Sequence, residues 1–157
     1  MRGIFVQPLT VPAAAIDTNG HVSNLEYLKW MQEVAMGHSA ACGWPAERYA
    51  REGATWVIRS HFIEYLRPAF AGESLSLLTR LAALNPRSSP RRYLFWRERD
   101  RKIIAKAETL FVYVQAATGR PARIPDELKN AFDVIIADDA DVLRTLGGDP
   151  PGPVAGV

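Results

Sequence analysis

The run Asp17-Thr18-Asn19-Gly20-His21-Val22-Ser23-Asn24-Leu25-Glu26-Tyr27 puts a carboxylate in a tight turn just ahead of a helix start. Ser23 followed by Glu26 is the S-x-x-E pattern, in which each side chain caps the other residue's backbone N–H. On that reading the helix opens near Asn24, and the N–H groups of Asn24 and Leu25 have no intrahelical acceptor. They carry the positive end of the helix dipole. A base or nucleophile, Asp17, then lies a few residues from donors that stabilise an oxyanion, a pairing suited to attack on an acyl carbon. The same residues also make an ordinary structure, because Asp in a turn commonly bonds its own backbone. The residues alone leave both readings open.

The elements that must hold this turn follow from periodicity. Residues 4–11 alternate and read as a strand. From Asn24 to Cys42, Leu28, Met31, Ala35 and His38 or Cys42 recur at helical spacing, and Gly43 is a natural stop. Pro45 opens a second short helix to about Glu52. From Thr55 the period changes to two: Trp56, Ile58, Ser60, Phe62, Glu64 and Leu66 fall on one face, and Val57, Arg59, His61, Ile63 and Tyr65 on the other. Further strands are expected over 75–84, 92–99 and 102–116, and short helices over 125–132 and 138–146. Residues 147–157, rich in Pro and Gly, read as a disordered tail. A strand, one long helix and then four strands in succession require the helix to bury itself against the sheet. The far sheet face is only partly polar and its edges need protection, which a second copy of the chain would supply.

Composition narrows the class. The chain has 157 residues, 48% of them apolar, enough for one domain with a real core. A net charge of +2, from 19 basic and 17 acidic residues, does not point to nucleic acid. No run is long enough for a membrane span, and the first eight residues lack the apolar core of a secretory signal. With Cys42 the single cysteine, no internal disulfide can form, so a cytoplasmic location is expected. His21, His38 and His61 show no metal-ligand spacing, so no metal is expected. No G-x-S-x-G elbow is present.

The order of elements resembles the hotdog fold, an α+β architecture with a long central helix wrapped by an antiparallel sheet of about five strands. The segment from Asp17 to Glu33 is similar to the signature of acyl-CoA thioesterases of the 4-hydroxybenzoyl-CoA thioesterase type, at Asp17, Gly20, His21, Val22, Asn24, Tyr27 and Glu33. Residues 63–69 with Gly72-Glu73, and 118–121 with Ile124-Pro125, are similar to two later motifs of that family. The resemblance implies a hotdog domain over residues 1–135 and a C-terminal helical segment and tail over 136–157. It implies hydrolysis of an acyl-CoA, with Asp17 attacking the thioester carbonyl or deprotonating a water, and the Asn24 N–H polarising the carbonyl oxygen. Coenzyme A is then part of the substrate and no cofactor is needed. Tyr27 and Trp30 would shape the acyl pocket, with His21 nearby in an undefined role. The basic run Arg87-Ser88-Ser89-Pro90-Arg91-Arg92 would grip the CoA phosphates through Arg87, Ser89 and Arg91; otherwise it is a solvated hairpin loop. Relatives form dimers, often paired into tetramers, with sites at the subunit interface. Hydrolysis of acyl groups on a carrier protein, and non-catalytic acyl binding, remain alternatives.

Overall fold

The structure, a computed structural model, describes residues 3–145 and residue 147. The expected tail therefore lies outside the described residues, Gly147 apart. The elements run β1 (Ile4–Thr10), α1 (Asn24–Ala41), α2 (Ala46–Glu52), β2 (Ala54–Tyr65), β3 (Ser74–Leu81), β4 (Ser88–Arg97), β5 (Lys102–Gln115), α3 (Asp126–Ala131) and α4 (Asp139–Thr145). The strands form one antiparallel sheet in the order β1-β3-β4-β5-β2. This is the α+β hotdog arrangement, with α1 packed on one face of the sheet.

Alternation decides which side chains meet α1. Leu75 and Leu77 of β3, Tyr93 and Phe95 of β4, and Ala105 and Ala107 of β5 form one cluster with Tyr27, Trp30, Met31 and Val34 of α1. Cross-strand register stacks them: Leu77 lies opposite Phe95, and Phe95 opposite Ala105. The alanines of β5 leave room for the helix aromatics. Burial of each large side chain of α1 contributes roughly 1.5–3 kcal/mol, which fixes the helix more strongly than its propensity does. At its end, Gly43 takes φ 86°, which a residue with a Cβ rarely adopts.

Strand β2 departs from simple alternation. Its register against β5 shifts between Ile58 and Ser60, so Ile58 faces Phe111 while His61 faces Thr109. The extra residue, Arg59, inverts the pattern that follows. Trp56, Ile58, His61, Ile63 and Tyr65 therefore share the face toward α1. Val57, Ser60, Phe62 and Glu64 take the other. The run from Ser88 to Arg92 is also not a loop: it is the first half of β4, which leaves only Arg87 in the connection. The ladder extends there because Ser88 and Ser89 pair with Val112 and Phe111.

The outer sheet face is covered in part by the chain itself. Val142 and Leu143 of α4 pack on Leu78, Leu94, Trp96 and Ile103. Buried Arg80 ties this segment down through Asp139 Oδ1 at 2.7 Å. Toward the β2 edge the face stays open, with Phe62 65% exposed.

A second buried guanidinium, Arg97, organises the β2–β3 connection. It donates to the Pro68 carbonyl at 2.9 Å and to both Asp100 carboxylate oxygens, and it pairs with Glu73 at 3.4 Å. Hydrogen bonding to Arg97 holds the Asp100 carboxyl below its usual range. Burial raises that of Glu73, but the Phe70 N–H, Arg99 and Arg97 outweigh it and the net shift is downward. A carboxylate depressed in the fold stabilises it above the unfolded value of about 4, and that contribution is lost as pH falls through the folded value. Arg97→Met is therefore expected to cost roughly 2–4 kcal/mol in urea melts at neutral pH. The gap to wild type should narrow below about pH 4; a gap constant across that range would assign the loss to packing instead.

Candidate active site

The turn holding Asp17 is built almost wholly from backbone hydrogen bonds. Asp17 N–H donates to the His21 carbonyl at 2.9 Å and Gly20 N–H to the Asp17 carbonyl at 3.1 Å. Gly20 sits at φ 84°, which closes the turn. Asp17 Oδ1 accepts from the Asn19 N–H at 2.8 Å, so the Asx turn does form. Oδ2 has no donor among the described residues, and the side chain is half-buried. His21 is half-buried too, with Nδ1 at 3.3 Å from the Val22 carbonyl.

Two strong contacts fix the segment between this turn and α1. Val22 N–H donates to the Ala69 carbonyl and Ser23 N–H to the Ala15 carbonyl, each at 2.9 Å. The second bond changes the cap. Because Ala15 already takes the Ser23 N–H, Glu26 does not reach back to it. Ser23 Oγ instead accepts from Leu25 N–H at 3.3 Å, and Glu26 N–H goes to the Ser23 carbonyl at 3.0 Å. The expected reciprocal capping box is therefore replaced by a one-sided cap. Of the two donors expected to be open, only the Asn24 N–H has no acceptor among the described residues.

The other expected site residues are dispersed. Tyr27 and Trp30 are enclosed in the core, 3% and 4% exposed. The Tyr27 ring meets Trp30, Tyr65 and Phe95 edge-on, and burial pushes its hydroxyl up to about 12. Arg87 is exposed. Ser89 is buried and donates to the Ala83 carbonyl at 2.7 Å. Arg91 lies under α1, where Nη1 contacts His38 Nδ1 at 2.9 Å and Thr79 Oγ1 at 3.0 Å. Arg87 and Arg91 thus do not share one surface, because the two-residue period of β4 turns residues 89, 91 and 93 inward. His38 is buried between Phe5 and Phe132. His61 is exposed and bonds Thr109 Oγ1 at 2.7 Å. Glu33 is exposed.

A cavity of about 500 Å³ lies at the other end of α1. Its walls include Met36, Trp44, Trp56, Phe111 and Phe132, with Arg91 in the lining. On α1 the cavity is lined by Gln32, Met36 and Ser39, whose helical spacing is the one signal in the sequence that could have pointed to it. Gln32 is about 12 Å from Asn24 along the helix axis, and Ser39 about 22 Å. A chain's own Asp17 thus sits remote from its own cavity. The orientation of α1 bears on this. Tyr27 meets Tyr65 at the end of β2, whereas Met36 and Ser39 share the cavity with Ala54, Thr55 and Ile58 at its start. The helix therefore runs opposite to β2.

Among the described residues no group of His, Cys, Asp and Glu is placed to hold a metal ion. Among the described residues no helix is long and apolar enough to cross a membrane.

Residues 11–132 match the family model of the thioesterase-like superfamily. The chain is 23% identical over 124 residues to the long-chain acyl-CoA thioesterase FadM of Escherichia coli K12, covering 77% of this chain and 91% of that protein. A 1,4-dihydroxy-2-naphthoyl-CoA thioesterase from Synechocystis has a similar structure, with TM-score 0.76, 18% identity and coverage of 82% of this chain and 95% of that one. A Staphylococcus aureus protein solved in complex with CoA superposes with TM-score 0.77 at 14% identity, over 98% of this chain and 92% of that one.

The cap on α1 is the local device that keeps the Asn24 N–H aimed outward. Ser23→Ala removes the acceptor for Leu25 N–H and should cost about 1 kcal/mol in chemical denaturation. A change below about 0.3 kcal/mol would show that the Val22 and Ser23 backbone bonds hold the helix start unaided.

Proposed function

The chain belongs to the thioesterase-like superfamily, and we propose that it hydrolyses acyl-CoA thioesters with Asp17 as the working carboxylate. The observation that carries this reading is local. Among the described residues, Asp17 presents one oxygen without a donor, in a turn tied by Val22 and Ser23 to a helix whose first N–H, that of Asn24, has no acceptor. A thioester carbonyl placed over Asn24 receives that N–H and the helix dipole as its charge develops. Asp17 then attacks the carbonyl carbon or takes a proton from the attacking water, and the thiol of CoA leaves. FadM is named as a long-chain acyl-CoA thioesterase, and the Staphylococcus aureus neighbour holds CoA, which supports an acyl-CoA as the substrate class. Arg87, exposed ahead of β4, is the residue we assign to a CoA phosphate. His21 borders the site beside Asp17. A cytoplasmic location fits this chemistry.

We further propose that the active unit is a homodimer paired through β2, standing alone or as half of a homotetramer. The sheet has two edges. β1 is short and carries Pro8, whereas β2 runs twelve residues without a proline and ends the sheet bare. Ile58 and Tyr65, each 44% exposed, stand on its α1-side face. Antiparallel pairing of two β2 strands about a two-fold axis also sets the two α1 helices antiparallel. Because α1 runs opposite to β2, the helix start of one copy then lies beside the cavity of the other. This places Asp17 and Asn24 of one chain at the mouth of its partner's cavity and removes the separation within a single chain.

Asp17→Asn keeps the acceptor for Asn19 N–H, so the fold should be retained. Thiol release from acyl-CoA should fall by about 10²-fold or more, and an unchanged rate would remove Asp17 from the chemistry. For the dimer, sedimentation of the wild type should give at least twice the 17.4 kDa chain mass. The Ile58→Lys/Tyr65→Lys double variant should sediment as a folded monomer without activity. An active monomer would overturn the shared site.

A further inference from the structure

Three arginines are buried among the described residues, and two of them have carboxylate partners. Arg80 has Asp139, and Arg97 has Glu73 and Asp100. Arg91, 5% exposed, has none. Its Nη1 hydrogens go to two neutral acceptors, His38 Nδ1 and Thr79 Oγ1. Since a guanidinium only donates, Nδ1 is the unprotonated nitrogen of that ring. Arg91 Nε and Nη2 meet no acceptor among the described residues. They are not sealed in protein either, because the enclosed side-chain atoms without a partner belong to Arg80. Arg91 itself is part of the wall of the cavity at the end of α1.

The other polar groups in the inner wall are already occupied. Ser39 Oγ donates to the Trp44 carbonyl at 2.7 Å, so Tyr49 gives its hydrogen to Ser39 Oγ at 2.8 Å and accepts from Trp56 Nε1 at 3.1 Å. Ser89 is spent on the Ala83 carbonyl. Apart from Gln32 and Thr55, both exposed at the rim, what remains is a cavity with apolar walls and one cation that still has unpaired donors. Burial draws the Arg91 pKa down, and only Tyr93, Tyr49 and Cys42 oppose it. An ion held this way is costly without a counter-charge.

We propose that this cavity takes the acyl chain and that Arg91 binds a carboxylate at the chain's far end, so that the preferred substrates are CoA monothioesters of dicarboxylic acids. The inference rests on the thioesterase reading. The apolar walls suit the methylene chain, and a carboxylate matches the free Nε and Nη2 pair with two parallel hydrogen bonds. A plain alkyl end would bury against Arg91 without satisfying it. Specificity then arises as much from rejecting the methyl-ended chain as from holding the carboxylate.

The test compares hexanedioyl-CoA with hexanoyl-CoA, and their longer homologues, as substrates of wild type and Arg91→Met. Isothermal titration of free hexanedioate and hexanoate measures binding without turnover. Wild type should favour the carboxylate-ended substrate in kcat/KM by at least about tenfold and bind hexanedioate over hexanoate. Arg91→Met, which keeps the length of the side chain, should reverse both preferences. No preference in wild type at any chain length would overturn the proposal, and this outcome does not depend on whether the variant folds. Hydrolysis of both esters without Arg91-dependent binding leaves the hydrolase standing and removes the carboxylate site. Arg91-dependent binding of hexanedioate with no ester cleaved does the reverse.

Discussion

The placement of Asp17 depends on a buried charge far along the chain, the Arg97 guanidinium at the end of β4. It holds the Pro68 carbonyl and Glu73, and Glu73 in turn accepts from the Phe70 N–H. These contacts shape the β2–β3 connection so that Ala69, fully buried, offers its carbonyl to the Val22 N–H. Glu73 and Gly72 also bond the backbone of Val11 at the end of β1. The segment before α1 is thus clamped from outside by a loop that is itself clamped by one cation. Such a clamp suits a site whose chemistry needs fixed donors, since a misplaced carbonyl loses the benefit of an oriented N–H.

Much of this was legible in the chain. α1, α2 and the five strands follow from spacing because apolar burial and turn residues agree there. Three features were not. Arg59 adds one residue to β2, and nothing in its type marks it as a bulge, so the two halves of that strand were assigned one common phase. The Ser88–Arg92 run looks soluble by composition, yet pairing with Phe111 and Val112 draws it into the sheet. Ser23 and Glu26 have the letters of a capping box, but the Ala15 carbonyl, brought near by the turn, takes the donor that Glu26 would have used. In each case a contact distant in sequence overrode a sound local pattern.

The two faces of the sheet solve different problems. The α1 face is filled by aromatic and aliphatic side chains around Tyr27 and Phe95, and it opens into a cavity toward the end of the helix. The other face is covered over β3 and β4 by α4 and left open beside β2. Buried guanidinium groups occur on both faces, with Arg80 on the outer and Arg91 and Arg97 on the inner. The outer one closes a structural contact. Of the inner two, one is neutralised and one faces a space large enough for a small organic group. The same residue type, at the same depth, therefore fastens the scaffold in two places and leaves a recognition group in the third.

The bulge in β2 also has an evolutionary reading. A loop can gain or lose residues with little effect on the core, but a strand whose halves are joined out of phase cannot. Removing Arg59, or adding a neighbour to it, would exchange inside for outside for every residue from Ser60 to Tyr65. Ile63 and Tyr65 would leave the helix, and Phe62 and Glu64 would take their places. An insertion or deletion within this one strand therefore costs far more than one in the connections on either side.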